Sequence, residues 1–449
     1  CSRFCYRIRF LHSARRAPAS RASGPLRGDA GVTNIELAIW SLPVLLILVF
    51  LRAPIALAMI AVGVGGTYLV IGTPMMTLNQ LKTLTYGTFS NYSFSIIPLF
   101  LLMGQFATLS GMSTSLFKAA ESFLGHRKGG VAMSAIGACA GFGAICGSSL
   151  ATAATMGQVA LPEMKRYGYP DSLSTGALAA GGTLGILIPP SVILVIYAIL
   201  AEQNIAKLFV AAFVPGILAA LGYMIAISIW VRVRPNAAQL SPRVPWGQRL
   251  VMLGKIWPVI LIFVAVVGGI YAGIFTPTEA AAVGAAGTFI AALASGEMTW
   301  PRLTESILST ASASAMIFLI ILGAGIYNNF LSLTQLPQEA SAWVGEQGFA
   351  PWFVLTIVLI MYLLFGCVMD SLSMVLLTVP IIFPIMSVLD FGMSVNEFGL
   401  WFGILVLIVV EVGLITPPVG MNLFIINGMS KTTPISETYK GALPFVITD

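Results

Sequence analysis

Two short clusters of small and polar residues interrupt otherwise apolar sequence: Gly147-Ser148-Ser149 with Thr152, and Asp370-Ser371-Leu372-Ser373. Where a helix breaks at such a cluster, the freed N–H groups carry partial positive charge and attract an anionic group. The freed carbonyls and the hydroxyls are hard oxygen ligands for a small cation. Each cluster is followed about forty residues later by a doubled proline, in Gly185-Ile-Leu-Ile-Pro189-Pro190 and Gly413-Leu-Ile-Thr-Pro417-Pro418. Two adjacent prolines remove backbone donors and push the preceding residues out of helix, exposing carbonyls near Gly185–Ile188 and Gly413–Thr416. The candidate substrate-binding set is Gly147, Ser149, Thr152, Ser191, Thr416 and Asn422, a collection of hydroxyls, an amide and backbone at the breaks. Asp370 has two open readings, a carboxylate for a nearby cation or the N-cap of the following half-helix. Glu411, one turn before the second break, is open between a structural role and a proton relay. Glu279 reads as part of a capping box with Thr276 and Pro277 and stays outside the site.

These clusters need a membrane to make sense. The chain is 57% hydrophobic and 9% charged, with a mean hydropathy of +0.93, whereas soluble domains carry about 25% charged residues. Apolar stretches of spanning length recur at 35–51, 54–72, 92–112, 175–200, 208–231, 256–275, 279–295, 307–333 and 400–428. The regions 129–162 and 351–388 are too long for one helix and are broken in the middle. Broken backbone at membrane depth is tolerated only inside protein or along a cavity, so each reads as a re-entrant helix–turn–helix hairpin. The net charge of +6 is therefore topology and not a nucleic-acid footprint. Lys118, Arg127, Lys128, Lys165 and Arg166 flank the first hairpin, while Glu339, Glu346, Asp390 and Glu397 flank the second. By the positive-inside rule the first hairpin opens to the cytoplasm and the second to the outside. Threaded that way, every Lys and Arg beyond residue 33 falls inside, Lys431 included, except Lys82 and Lys207.

Other chemistries find no support. Cys139, Cys146 and Cys367 lie in apolar segments, so neither a disulfide framework nor a cysteine metal site is expected. His12 and His126 are the only histidines. No Walker-type phosphate loop is present, which argues against ATP hydrolysis by this chain. A membrane hydrolase built on a hydroxyl and Asp370 would need a partnering base that the sequence does not supply; the chain does not read as an enzyme.

The expected fold is an all-α integral membrane protein in two inverted repeats. The first spans 34–234 (hairpin 129–162, broken helix 175–200) and the second 256–449 (hairpin 351–388, broken helix 400–428), joined by a basic cytoplasmic linker at 235–255. The Gly185 and Pro189 breaks match Gly413 and Pro417 at one fixed offset, and Ser149-Leu-Ala matches Ser371-Leu-Ser at nearly the same one. In such repeats, discontinuous helices build a site shared by anion and coupling ion near the bilayer midplane. Residues 1–33, rich in arginine and poor in acid, read as a leader or non-native segment outside this plan.

The stretch from Gly143 to Tyr169, containing Gly147-Ser-Ser-Leu-Ala-Thr152 and Leu161-Pro-Glu-Met-Lys-Arg-Tyr-Gly-Tyr169, resembles the large membrane subunit of TRAP (tripartite ATP-independent periplasmic) transporters. Similar resemblance runs through Ile97-Pro-Leu-Phe-Leu-Leu-Met-Gly104, Phe275-Thr-Pro-Thr-Glu279, Met369-Asp-Ser-Leu-Ser-Met374 and Glu411-Val-Gly-Leu-Ile-Thr-Pro-Pro-Val-Gly-Met-Asn422, and covers about 35–449. It implies an elevator-type permease of the ion transporter superfamily in a bacterial inner membrane. Such a permease is coupled to Na+ and works with a small membrane subunit and a periplasmic solute-binding protein. The delivered cargo is a small organic acid of the C4-dicarboxylate kind. By matching motif, the resemblance implies one sodium site on Ser148, Ser149 and the Gly185–Pro189 backbone. A second is implied on Asp370, Ser371, Ser373 and the Gly413–Thr416 backbone. It further implies one more helix beyond Asp449. The alternative is a stand-alone sodium/dicarboxylate symporter of the same fold.

Overall fold

Glycine, proline and serine decide where the helices of this chain stop. The computed structural model describes residues 33–234, 239–430 and 433–449, and all regular structure among them is helical. Residues 1–32 of the leader, the start of the linker (235–238) and Lys431 lie outside the described residues.

The first half begins with α1 (Asn34–Phe50), α2 (Ile55–Ile71) and α3 (Pro74–Phe89). A short 3-10 turn leads into α4 (Ile96–Leu109), followed by α5 (Met112–Leu124). The first hairpin is α6 (Gly130–Cys146) and α7 (Ser149–Arg166), and the first broken helix is α8 (Asp171–Leu187) with α9 (Val192–Leu200). The half closes with α10 (Ile205–Val233). Across the linker come α11 (Trp246–Lys255) and α12 (Trp257–Phe263), then a π turn leading to α13 (Gly269–Tyr271). The second half continues through α14 (Pro277–Ala294), α15 (Trp300–Leu333) and α16 (Leu336–Glu346). Its hairpin is α17 (Pro351–Gly366) and α18 (Ser371–Met386); its broken helix is α19 (Val395–Leu414) and α20 (Met421–Ser430), with α21 (Ile435–Thr448) last.

Among the described residues, five helices are long and apolar enough to cross a bilayer, or seven if the bent pairs α8/α9 (47°) and α11 with Trp257–Tyr271 (49°) each count as one span. The chain is thus an all-helical, multi-span membrane protein. Several expected boundaries move. The 307–333 span begins at Trp300, because its first turns carry polar side chains that hydropathy alone discounts. The first hairpin runs on through Pro162 to Arg166, and the second broken helix covers 395–430 instead of 400–428. Helix α3 has no counterpart among the expected spans: its Asn79, Gln80 and Lys82 make it too polar to span, yet it is helical.

The two ends of the body differ in chemistry. At the open end of the first hairpin, the N–H groups of Gln239 and Ser241 donate to the carbonyls of Tyr167 and Gly125, each at 3.1 Å. The basic linker is thereby strapped across both loops that flank the hairpin. At the open end of the second, Trp352 packs edge-on to Phe391 and Trp401, both at 5.7 Å. Tyr197 Oη, near the end of α9, donates to Gly399 O at 2.6 Å in the same region.

Candidate functional site

Each hairpin breaks where its second helix acquires a cap. In the first, Gly147 closes α6 in the left-handed region (φ +65°), and its N–H donates to Gly143 O at 2.8 Å. A Cβ at Gly147 would lie 3.2 Å from Pro190 O, so glycine also admits the first proline break. Ser148 then turns extended and its Oγ accepts from Ala151 N at 3.4 Å, starting α7 at Ser149. In the second hairpin Asp370 takes the capping place: Oδ2 accepts from Ser373 N at 3.1 Å, starting α18 at Ser371. Both tips therefore present a half-helix N-terminus with its unpaired N–H groups.

The broken helices meet these tips by close backbone approach. Gly143 of α6 crosses Gly185 of α8 so tightly that a Cβ on Gly143 would lie 2.4 Å from the Gly185 Cα. The equivalent crossing in the second half is Gly366 of α17 on Gly413 of α19, where a Cβ on Gly413 would lie 2.6 Å from the Gly366 Cα. Both breaks contain a cis peptide, Pro189–Pro190 and Pro417–Pro418. Gly420 N, just past the second break, donates to Cys367 O at 3.0 Å and ties that break to the second tip. Around the first break, a Cβ on Gly185 would sit 2.5 Å from Thr152 Oγ1 and 2.9 Å from Ser148 O. One on Gly182 would sit 3.1 Å from Asn422 Nδ2 and 3.2 Å from Ser149 O.

The tips converge on one side chain. Ser149 Oγ donates to Glu411 Oε2, and Ser371 Oγ donates to Glu411 Oε1 at 2.9 Å. Glu411 is 1% exposed, and the ion pairs among the described residues leave it without a cationic partner. Close by, two fully buried oxygens have no hydrogen-bond partner: Thr152 Oγ1, whose neighbour is the Cys146 thiol, and Asn422 Oδ1. The other side of the Asn422 amide is held, Nδ2 donating to Ala179 O at 3.1 Å. A carboxylate, two hydroxyls, two unpartnered oxygens and two helix N-termini thus share one region: oxygen ligands for a cation, and donors for an anion.

Ser148, Ser149, Thr152, Gly185 and Asn422 come together along α8, and Ser371 joins them through Glu411. Others have local duties. Ser191 Oγ caps α9 by accepting from Leu194 N at 3.4 Å, and Thr416 Oγ1, just past the end of α19, donates to Val412 O of that helix at 2.6 Å. Ser373 enters through its backbone N–H, Gly413 packs on Gly366, and Ile188 is the extended residue that ends α8. Asp370 caps α18, which is one of its two readings, and Glu279 completes the expected capping box with Thr276. Glu411, open in the sequence between a structural role and a proton relay, is the side chain that both tips share. Its position one turn before a Pro-Pro break was the available signal, but the partners of its carboxylate come from α7 and α18, which spacing along α19 does not reveal.

Two hairpins and two Pro-Pro-broken helices thus lie in one all-helical membrane body. Over residues 42–449 the sequence matches the family described as tripartite ATP-independent periplasmic transporter, DctM component, and the chain belongs to that family of multi-pass permeases of the bacterial inner membrane. It is 36% identical over 388 residues to the C4-dicarboxylate TRAP transporter large permease protein DctM of Pseudomonas aeruginosa, covering 86% of this chain and 89% of that one. It is 27% identical over 401 residues to the sialic acid TRAP transporter large permease protein SiaM of Vibrio cholerae, covering 89% and 91%. The isethionate TRAP transporter permease protein DctMQ of Oleidesulfovibrio alaskensis is 30% identical, and the match covers 86% of this chain but 60% of that longer protein. In three dimensions the chain is similar to the crystal structure of the YdaH transporter of Alcanivorax borkumensis, with a TM-score of 0.61 at 13% identity over 83% of this chain and 86% of that one. That likeness is one of fold.

Proposed function

We propose that this permease imports a small organic carboxylate, of the C4-dicarboxylate kind, in symport with Na+. A periplasmic solute-binding protein delivers the carboxylate, and a small membrane subunit completes the assembly. The observation that carries this reading is the convergence of the two tips, from separate halves of the chain, on one buried region beside both Pro-Pro breaks. In that region the N-termini of α7 and α18 favour a carboxylate. The oxygens of Ser148, Ser149 and the Gly185–Pro189 backbone offer one cation site. Asp370, Ser371, Ser373 and the Gly413–Thr416 backbone offer the other. The buried carboxylate of Glu411 and the unpartnered Thr152 and Asn422 oxygens support an incoming ligand, since a buried charge or polar atom is costly until it is paired. Substrate contacts are assigned to Gly147, Ser149, Thr152, Ser191, Thr416 and Asn422.

The matching tips, breaks and glycine crossings support two inverted repeats, 34–234 and 256–449, joined by the basic linker. In an elevator mechanism, the hairpins and broken helices move as one body against the remaining helices. Relatives named for C4-dicarboxylates support the cargo class. The test is uptake of a radiolabelled C4-dicarboxylate into proteoliposomes holding the permease, its small subunit and its binding protein. Uptake is expected under an inward sodium gradient and lost when potassium replaces sodium; uptake indifferent to that exchange would refute sodium coupling. Uptake that proceeds without any binding protein would favour the stand-alone symporter.

A further inference from the structure

We infer that Glu411 is a positioning residue, a latch that holds the two hairpin tips as one unit so that ligand bound at one tip is felt at the other. Its two carboxylate oxygens are divided between the halves of the chain: Oε2 takes the Ser149 hydroxyl of α7, and Oε1 takes the Ser371 hydroxyl of α18. Both serines are first residues of their half-helices and both are buried. Each stands directly after its cap, so a shift of either hydroxyl moves the N-terminus that the cap has set. Because each serine spends its proton on Glu411, its oxygen lone pairs are turned to other partners, with a carboxylate behind them. The fold holds the carboxylate itself rigidly. It projects from α19 one turn before the second break, two residues from Gly413, whose crossing with Gly366 leaves no room for a Cβ. No other side chain hydrogen-bonds to both tips among the described residues.

The latch is independent of which ion or substrate binds; only its role in coupling rests on the transport-site reading above. It is tested on the purified full-length permease by hydrogen exchange resolved to peptides covering 143–155 and 366–376. Glu411→Ala is expected to speed exchange by about tenfold in both peptides, because two buried hydrogen bonds are lost. Glu411→Gln, whose amide can accept from one hydroxyl and donate to the other, is expected to restore most of the protection. Acceleration at one tip or at neither would overturn the latch. Should Glu411→Ala fail to fold, the cycle Ser149→Ala, Ser371→Ala and the double variant carries the test. Ser371→Ala should then speed exchange at the first tip too, with non-additive effects, whereas strictly local and additive effects would overturn the proposal. Repeating the wild-type measurement in sodium and in potassium chloride separates the two readings. Sodium that fails to slow exchange at the tips counts against sodium coupling and leaves the latch standing.

Discussion

The two hairpins do the same job with different materials. Helix α6 is built from glycine, alanine, cysteine and a few larger residues, and nearly all of it is buried against α5 and α8. Helix α17 is built from bulky apolar residues and buries only Leu355, Tyr362 and Gly366, leaving Trp352, Ile357, Ile360 and Leu364 more than half exposed. Lipid tails are as apolar as leucine, so burying large side chains between membrane helices gains little; close approach over small residues gains dispersion contacts. The first hairpin is therefore an interior element, and the second presents one face outward. The tips follow suit. The first turns in two residues through a left-handed glycine and a serine cap, within packed protein. The second takes four residues and uses a charged cap.

The largest expected consequence lies at the glycine crossings. Gly143→Ala drives a methyl into the backbone of α8 and should cost about 3 kcal/mol, with much of the protein lost from the folded fraction. A Cβ on Gly366 would meet Gly413 Cα and Val410 O at 3.2 Å, so Gly366→Ala should cost about 1 kcal/mol. Thermal melts of both variants in detergent would break the comparison if their order were reversed. Next come the caps. Asp370→Ala should cost about 1 kcal/mol and Ser148→Ala, whose cap bond is longer, about 0.5 kcal/mol. Asp370→Asn should keep the cap and thus the melt. If it nevertheless abolishes sodium-dependent uptake, the charge serves the cargo and not only the helix.

The smallest effect lies at the open end of the first hairpin, where Glu121 accepts from Ser241 Oγ of the linker at 3.5 Å. Burial raises its carboxyl above the usual range, and the nearby Glu163 raises it further. The folded state thus holds that proton more tightly than the unfolded chain does. Stability tied to the neutral form is present at low pH and is lost as pH rises through the folded-state pKa. Glu121→Gln should melt together with the wild type in acid and about 1 °C higher at neutral pH. An equal difference at both pH values would show that ionisation is not the cause.

Much of the site was legible in the chain itself. Gly147-Ser148-Ser149 and Asp370-Ser371 mark breaks because glycine and capping residues stop helices by local chemistry. Pro189-Pro190 and Pro417-Pro418 do so by removing donors and clashing with the preceding turn. Boundaries slipped where helices extend into polar sequence, as at Trp300, since hydropathy measures the solvent and not the hydrogen-bond ladder. Helix α3 escaped for the same reason.

Hydropathy, break residues and the paired motifs thus determined by themselves that this chain is a membrane protein with two interrupted hairpins and two interrupted helices. Those properties are local, readable within a few turns. Only the tertiary structure decided that Glu411 joins the tips, that Asp370 is a cap, and that Gly143 and Gly366 are crossing points. Each of these depends on which helix lies opposite, and long-range packing brings Ser149 and Ser371 to one carboxylate from separate halves of the chain.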